Sequence, residues 1–270
     1  MAAIPNYNMA ESLDNLLPQV LAQGYDHVFV LDDASTDHTV DVVGRFGADV
    51  TLVRSPRNRG AGANRNQILD QVDDDTLIHF IDADMDIASA DTAAKARDIA
   101  QRHAPRGVGL IGGLVSRVDG HQEPYNYGPV FSLRTNLLTG GFPPLIDRFR
   151  NRPRVAAAIG RVGRYAMREW PRIYQPPTPA DAYWVHEGNM LIHARLFRSV
   201  GGYDPMIREH EAQDLALSLN KIGVAGYFDP SIRVIHHHVD VRGKFRIKRQ
   251  AKDAFYLIRK HGVARYLTDR

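Results

Sequence analysis

The chain has 270 residues, 44% of them hydrophobic and 24% charged, enough apolar material for one large core or two closely packed halves. It contains no cysteine, so disulfides, thiolate metal sites and cysteine nucleophiles are excluded, and a reducing compartment, the cytoplasm, is the expectation. The formal net charge of +3 is mildly basic and says little about partners until its distribution is known.

Met1 to Asn8 has neither the basic head nor the apolar run of a secretory signal, and no uncharged apolar stretch is long enough for a bilayer. Any membrane contact is therefore expected from the surface, at the inner face. Residues 9–23 place Met9, Leu13, Leu16, Leu17, Val20 and Leu21 at helical spacing, with Pro18 inside the pattern as the place for a kink. His27 to Leu31 is an apolar run ending in Asp32-Asp33, the pattern of a buried parallel strand with acids at its C-terminal end. Thr36 to Phe46 reads as a helix capped by Ser35 or Thr36. Val50 to Val53 reads as a strand and 63–72 as a helix. Leu77 to Ile81 is a second buried strand closing in acids, Asp82 and Asp84. Asp91 to Arg102 is Ala-rich and helical, and Val108 to Ile111 is a further strand.

This alternation predicts an α/β fold with a Rossmann-like, mostly parallel central sheet flanked by helices. Ligands of such sheets bind beyond the carboxyl ends of the strands, where both acidic clusters fall.

Residues 120–180 are rich in Gly, Pro, Tyr and Arg and weakly periodic. Within them, 145–173 carries Arg148, Arg150, Arg152, Arg154, Arg161, Arg164, Arg168 and Arg172 among apolar residues. The segment reads either as a solvated face or as a basic amphipathic surface for an anionic membrane or a lipid-phosphate acceptor. No nucleic-acid-binding module accompanies these arginines, so nucleic acid is not expected as a partner. Trp184 to Phe197 reads as strand and turn, Gln213 to Ile222 as helix, and Ile232 to Ile235 as a strand ending in His236-His237-His238. A basic helix is expected over 242–261.

Asp82-Ala83-Asp84 offers two carboxylates one residue apart at a strand end. They suit a hard divalent cation, magnesium or manganese, or they are a solvated pair of loop acids. Asp33 can accept hydrogen bonds from a base or ribose, while its neighbours Ser35 and Thr36 supply only a helix cap. Asn58-Arg59-Gly60-Ala61-Gly62-Ala63-Asn64-Arg65-Asn66 opens a helix with glycines and arginines, a weak phosphate signal with neither a Walker A nor a GxGxxG pattern.

Together these motifs resemble a known family. The order Ile4-Pro5-Asn6-Tyr7-Asn8, Leu31-Asp32-Asp33-Ala34-Ser35-Thr36-Asp37, Asn58-Arg59-Gly60 and Asp82-Ala83-Asp84, followed by Gly188-Asn189-Met190, Phe197 and Gly201-Gly202-Tyr203-Asp204, is similar to that of the family 2 glycosyltransferases of the GT-A fold. The resemblance implies one continuous domain. Residues 1–115 would form the nucleotide-sugar half and 116–240 the acceptor-binding, catalytic half, with a smaller acceptor-side subregion beside the sheet and 241–270 a basic C-terminal helix. It implies a nucleoside-diphosphate sugar, a UDP-sugar by preference, as donor. The acceptor would be a hydroxyl on a glycan, a lipid or a small molecule. Pro5, Asn6, Tyr7, Asp33, Asn58, Arg65 and Asp82 would line the nucleotide pocket. Asp84, helped by Asp82, would hold the metal with His236 or His238, which share one face of an alternating strand. Trp184, Glu187 and Asn189 are candidates for sugar contact, with a core role as the alternative for Trp184.

The chain departs from the family pattern at Glu211-Ala212-Gln213-Asp214-Leu215, where the usual catalytic carboxylate position is Ala212. Asp214 or Glu211 would then be the base of an inverting transfer. The alternatives are a retaining transferase of the same fold, a sugar nucleotidyltransferase and an inactive nucleotide-binding scaffold.

Overall fold

The computed structural model describes residues 1–162, 169–173, 175–237 and 246–268. Its strands are β1 (Ala2–Asn6), β2 (Val28–Asp32), β3 (Val50–Arg54), β4 (Leu77–Ile81), β5 (Met85–Ile87), β6 (Val108–Arg117), β7 (Tyr127–Gly128), β8 (Ala180–Ala182), β9 (Trp184–Val185), β10 (Asn189–His193) and β11 (Ala225–His236). Its α-helices are α1 (Ala10–Leu21), α2 (Thr39–Gly44), α3 (Ala61–Arg65), α4 (Thr92–His103), α5 (Phe142–Arg148), α6 (Pro153–Val162), α7 (Ala194–Ser199), α8 (Glu211–Lys221), α9 (Arg246–His261) and α10 (Val263–Thr268).

The main sheet has the order β3-β2-β1-β4-β10-β6-β11-β5, with β8 also paired to β11, while β7 and β9 form a separate ribbon. Strands β3, β2, β1, β4, β6 and β11 run one way; β10, β5 and β8 run the other. The sheet is thus mostly parallel. It runs through both halves of the chain: β10 lies between β4 and β6, and β6 itself crosses position 115.

The continuous apolar runs are explained by burial on both faces. Along β2, Val28 and Val30 join the cluster containing Leu13, Leu16, Leu17 and Val20 of α1. Phe29 and Leu31 join the opposite cluster with Phe80, Phe197, Tyr203 and Leu215. Each fully buried leucine of α1 contributes about 2 kcal/mol by removal from water. That amphipathic face keeps α1 helical through Pro18.

Two expected helices come out shorter. The helix after β2 begins at Thr39 rather than near Ser35, because Ser35 and Thr36 are used to brace the preceding turn: Ser35 Oγ donates to Asp32, and Thr36 N donates to Asn8 Oδ1 at 2.8 Å. The helix expected over 63–72 is α3 followed by a 3-10 turn, Asn66–Asp70. Strand β11 is longer than expected because an irregularity between Asp229 and Arg233 lets it follow β6 along almost its whole length.

A buried polar chain crosses the sheet. Asn189 Nδ2 donates to Leu114 O at 3.1 Å and Ile232 O at 3.3 Å, which turns its Oδ1 toward His79 Nε2 at 2.8 Å. Nε2 is therefore the protonated nitrogen of His79, and Tyr25 O–H donates to Nδ1 at 2.6 Å. Burial lowers the pKa of His79 to about 4. The neutral imidazole is thus the folded form, and its stabilisation is fully present above the unfolded value near 6.5. It is lost as pH falls from there toward 4. Urea unfolding of the wild type is expected to lose about 2 kcal/mol through this group between pH 7 and pH 5. In His79→Gln that share of the pH slope disappears.

Candidate active site

The acids that close β2 and β4 end up beside the loops that follow them, at the carboxyl edge of the sheet. Asp32 is fully buried and used internally: it accepts from Ser35 N and from Asn6 Nδ2, and pairs with Arg54 Nε at 3.1 Å. Asn6 is 2% exposed and also donates to Ser35 Oγ and Thr39 Oγ1, at 3.2 and 3.1 Å. Pro5 is buried within β1. Tyr7, one residue on, is exposed at the rim.

Asp33 reaches the other way. Its two oxygens accept from Arg59 N and Gly60 N, each at 2.8 Å. Burial pushes its carboxyl upward, against the pull of those two amides. Gly60 sits at φ +89°, a conformation that favours glycine, and this bend is what aims both amides at one carboxylate. Asn58 is exposed on the same loop.

Arg65, at the end of α3, is 2% exposed and ion-paired through Nη2 with Asp82 Oδ1. Glu187, Tyr203 and Glu211 add to the field that raises its pKa against the cost of burial. Glu211, 5% exposed in the first turn of α8, accepts from Gly62 N at 3.3 Å. The structure thus brings Arg65, Asp82, Glu187 and Glu211 into one charged cluster. Gly188 completes its wall. A Cβ there would lie 2.6 Å from Asp82 Oδ2, so a side chain at 188 would displace the carboxylate.

Asp84 is 6% exposed, and its Oδ2 lies 3.1 Å from His236 Nε2 at the end of β11. The imidazole's other nitrogen, Nδ1, faces Glu123 Oε1 at 3.6 Å. Burial works against a charge on His236, but Asp84 and Glu123 outweigh it and hold its pKa near 10. His238 lies outside the described residues. No group of three His, Cys, Asp or Glu side chains forms a ready-made metal cage among the described residues. Two donors are nonetheless at the right spacing: neighbouring ligands of an octahedral cation with bonds near 2.1 Å sit about 3 Å apart.

Asp214, by contrast, faces the tail. Its oxygens meet Lys260 Nζ at 2.9 Å and His261 Nε2 at 2.7 Å, both from α9. Trp184 is buried edge-to-face with Trp170, and Asn189 belongs to the buried chain described above. Glu123 and Arg208, which have no sequence motif of their own, also enter the site, as does His186, a polar neighbour of Gly188-Asn189 in the sequence. Glu123 comes from the loop after β6. His186 accepts from Gly188 N at 3.0 Å through Nδ1. Arg208 donates to Arg59 O at 3.2 Å while Asp253 of α9 accepts from its backbone N at 2.8 Å. The Gly-Gly-Tyr-Asp turn was the only local hint of Tyr203.

Solved structures with the same architecture are glycosyltransferases. One is the mannosyltransferase PcManGT from Pyrobaculum calidifontis in complex with GDP-Man and Mn2+: 20% identity, TM-score 0.58, covering 96% of this chain and 62% of that one. Another is TarS 1-349 of S. aureus in complex with UDP-GlcNAc: 16% identity, TM-score 0.59, 96% of this chain and 64% of that one. A third is GalNAc-T7 with UDP, GalNAc and Mn2+: 16% identity, TM-score 0.54, 88% of this chain and 43% of that one. The chain spans less than two thirds of the length of each. No curated protein matches its sequence. Residues 2–128, however, match the family described as Glycosyl transferase family 2, a stretch that holds β1, both acidic strand ends and Glu123. The first half of the chain is thus similar to glycosyl transferase family 2, and the chain as a whole has the GT-A architecture of these structures.

Proposed function

We propose that the protein transfers a sugar from a nucleoside-diphosphate sugar, a UDP-sugar by preference, to a hydroxyl acceptor on a glycan, a lipid or a small molecule, with inversion. The observation that carries this reading is the adjacency at one sheet edge of two arrangements: the Asp84–His236 pair at 3.1 Å and the Arg65–Asp82 ion pair with Glu211 beside it. The complexes of the structural relatives with GDP-Man, UDP-GlcNAc and Mn2+ support the same class of donor.

Asp84 and His236 would hold the divalent cation, manganese or magnesium, with Asp82 nearby. Such ions take one or two carboxylates plus substrate phosphates, which fits a site where two protein donors lie at ligand spacing among the described residues. A cation there supplies positive charge to the departing diphosphate. Asp33 fixes the 59–60 loop and, with exposed Tyr7, offers contacts to base and ribose. Arg65 neutralises the acids around it and keeps Asp82 in place. Glu211 takes the proton from the acceptor hydroxyl as its oxygen bonds to the anomeric carbon, while the bond from that carbon to the diphosphate oxygen breaks. Glu211 is preferred to Asp214 because Lys260 and His261 occupy both oxygens of Asp214.

Helices α5 and α6 supply a surface for an anionic membrane or a lipid-linked acceptor. Leu145, Val155 and Val162 are exposed there among exposed Arg148, Arg152, Arg154 and Arg161. No helix among the described residues is long and apolar enough to cross a membrane.

The test is release of nucleoside diphosphate from a panel of UDP- and GDP-sugars with manganese, in the presence of hydroxyl acceptors. The reading expects release that depends on both metal and acceptor. Release of pyrophosphate from a nucleoside triphosphate and a sugar phosphate would instead identify a nucleotidyltransferase.

A further inference from the structure

His236 is an unusual ligand candidate in that carboxylates flank both of its ring nitrogens. Nε2 lies against Asp84 at 3.1 Å and Nδ1 faces Glu123 at 3.6 Å. Glu123 comes from a loop that shows no periodicity and no motif, yet it is 7% exposed and firmly held. Its other oxygen, Oε2, accepts from Arg117 Nη2 at 3.2 Å. Arg117 in turn bonds Asp147 of α5, with Nη1 to Oδ1 at 3.1 Å and Nη2 to Oδ2 at 3.0 Å. A buried carboxylate held by an arginine at one oxygen is pre-oriented at the other.

The chemistry of a histidine ligand explains why that matters. A cation bound through the Nε2 lone pair leaves the ring proton on Nδ1. That nitrogen is buried, so its N–H needs an acceptor inside the protein. Glu123 Oε1 is the carboxylate oxygen facing it. Carboxylates behind metal-bound imidazoles fix the tautomer and raise ligand basicity.

We propose that Glu123 is the positioning residue for His236: it accepts a hydrogen bond from Nδ1–H, fixes the tautomer that presents the Nε2 lone pair toward Asp84, and is itself held by Arg117 and, through Asp147, by helix α5. The proposal rests on the reading of Asp84 and His236 as the cation-binding pair. It adds that the tautomer of His236 is set from the acceptor-side loop rather than from the strand that carries it. It also gives the arginine-rich helices a covalent-free tether to the donor site, since Asp147 lies between Arg117 and Arg150.

Two measurements on the full chain test this. The first is manganese affinity in the presence of UDP, by calorimetry, for wild type, Glu123→Ala and Glu123→Gln. The second is the ring-nitrogen chemical shifts of His236 by NMR, in the metal-free protein across an alkaline pH series until the ring is seen to be neutral, and with UDP and diamagnetic magnesium. Glu123→Ala is expected to weaken manganese binding about 10- to 100-fold and to shift the metal-free tautomer away from the Nδ1–H form. Glu123→Gln keeps an acceptor oxygen and is expected to restore the tautomer and most of the affinity. Unchanged affinity and unchanged tautomer in folded Glu123→Ala would overturn the proposal. If wild type binds no manganese with any nucleotide, the donor-site reading fails. The metal-free tautomer still decides whether Glu123 orients the ring. A Glu123→Ala chain that does not fold leaves the Glu123→Gln tautomer as the deciding result: loss of the Nδ1–H form there would also count against the proposal.

Discussion

Glu211→Gln is expected to lower sugar transfer by a factor of about 100 to 10,000, the usual range for removal of a general base, while leaving metal-dependent nucleotide binding near the wild-type level. The isosteric amide keeps the acceptor oxygen that faces Gly62 N at 3.3 Å, so the helix start should persist. What is lost is the ability to take a proton from the acceptor. Asp214→Asn is the informative control. Asp214 joins α8 to the tail through Lys260 and His261, so its loss should lower stability and loosen α9 rather than remove the chemical step. The measurement is kcat for nucleotide release in each variant, with unfolding midpoints alongside. If Asp214→Asn loses turnover at unchanged stability while Glu211→Gln keeps it, the two roles are reversed. Retention of turnover by both would favour a retaining transfer, which needs no such base.

Arg65→Ala is expected to cost about 3–5 kcal/mol of stability, the range found when one partner of a buried ion pair is removed. Arg65 is among the largest fully buried side chains in the protein. Its removal leaves Asp82, Glu187 and Glu211 sharing a poorly solvated space with no guanidinium among them. The cost does not come from lost hydrogen bonds alone. Among the described residues, Nε and Nη1 have no hydrogen-bond partner, so the charge rather than the fork geometry carries the effect. Arg65→Lys should therefore recover a substantial part of the loss. Urea unfolding at pH 7 reads both variants. A loss below about 1 kcal/mol for Arg65→Ala, the size of an exposed pair, would show that solvent already compensates these acids.

The parts of the fold that were legible in the sequence share one property: their signal is local. His27 to Leu31 and Leu77 to Ile81 are apolar because both sheet faces are covered, and their closing acids mark the edge where ligands bind. Those strands and the adjacency of Asp82 to Asp84 could be read directly. So could the helix over residues 10–21, whose leucines recur at helical spacing. What could not be read are contacts between distant segments. Nothing near Asp214 announces Lys260 and His261, and nothing near Glu123 announces His236. Asn6 sits in a motif that resembles a pocket lining, yet its amide is used to tie β1 to Ser35 and Thr39. Trp184 shows the same ambiguity: an aromatic beside polar residues suits a sugar platform, but the ring is packed against Trp170 and the backbone of Gly128. A short amphipathic sequence states which residues prefer water, not which partner meets them.

Calorimetric titration of UDP and GDP, with and without manganese, on wild type and Asp84→Ala tests the donor site most directly. Asp84 is nearly buried and has His236 as its neighbour at 3.1 Å. Removing its carboxylate removes one of the two donors at ligand spacing. The expected result is binding of a nucleoside diphosphate that requires manganese in the wild type and is lost in Asp84→Ala, with the variant still folded. Metal-independent binding, or binding unchanged in Asp84→Ala, would contradict the assignment of Asp84 and His236 as the cation-binding pair. No binding by the wild type under any metal condition would contradict the donor site itself.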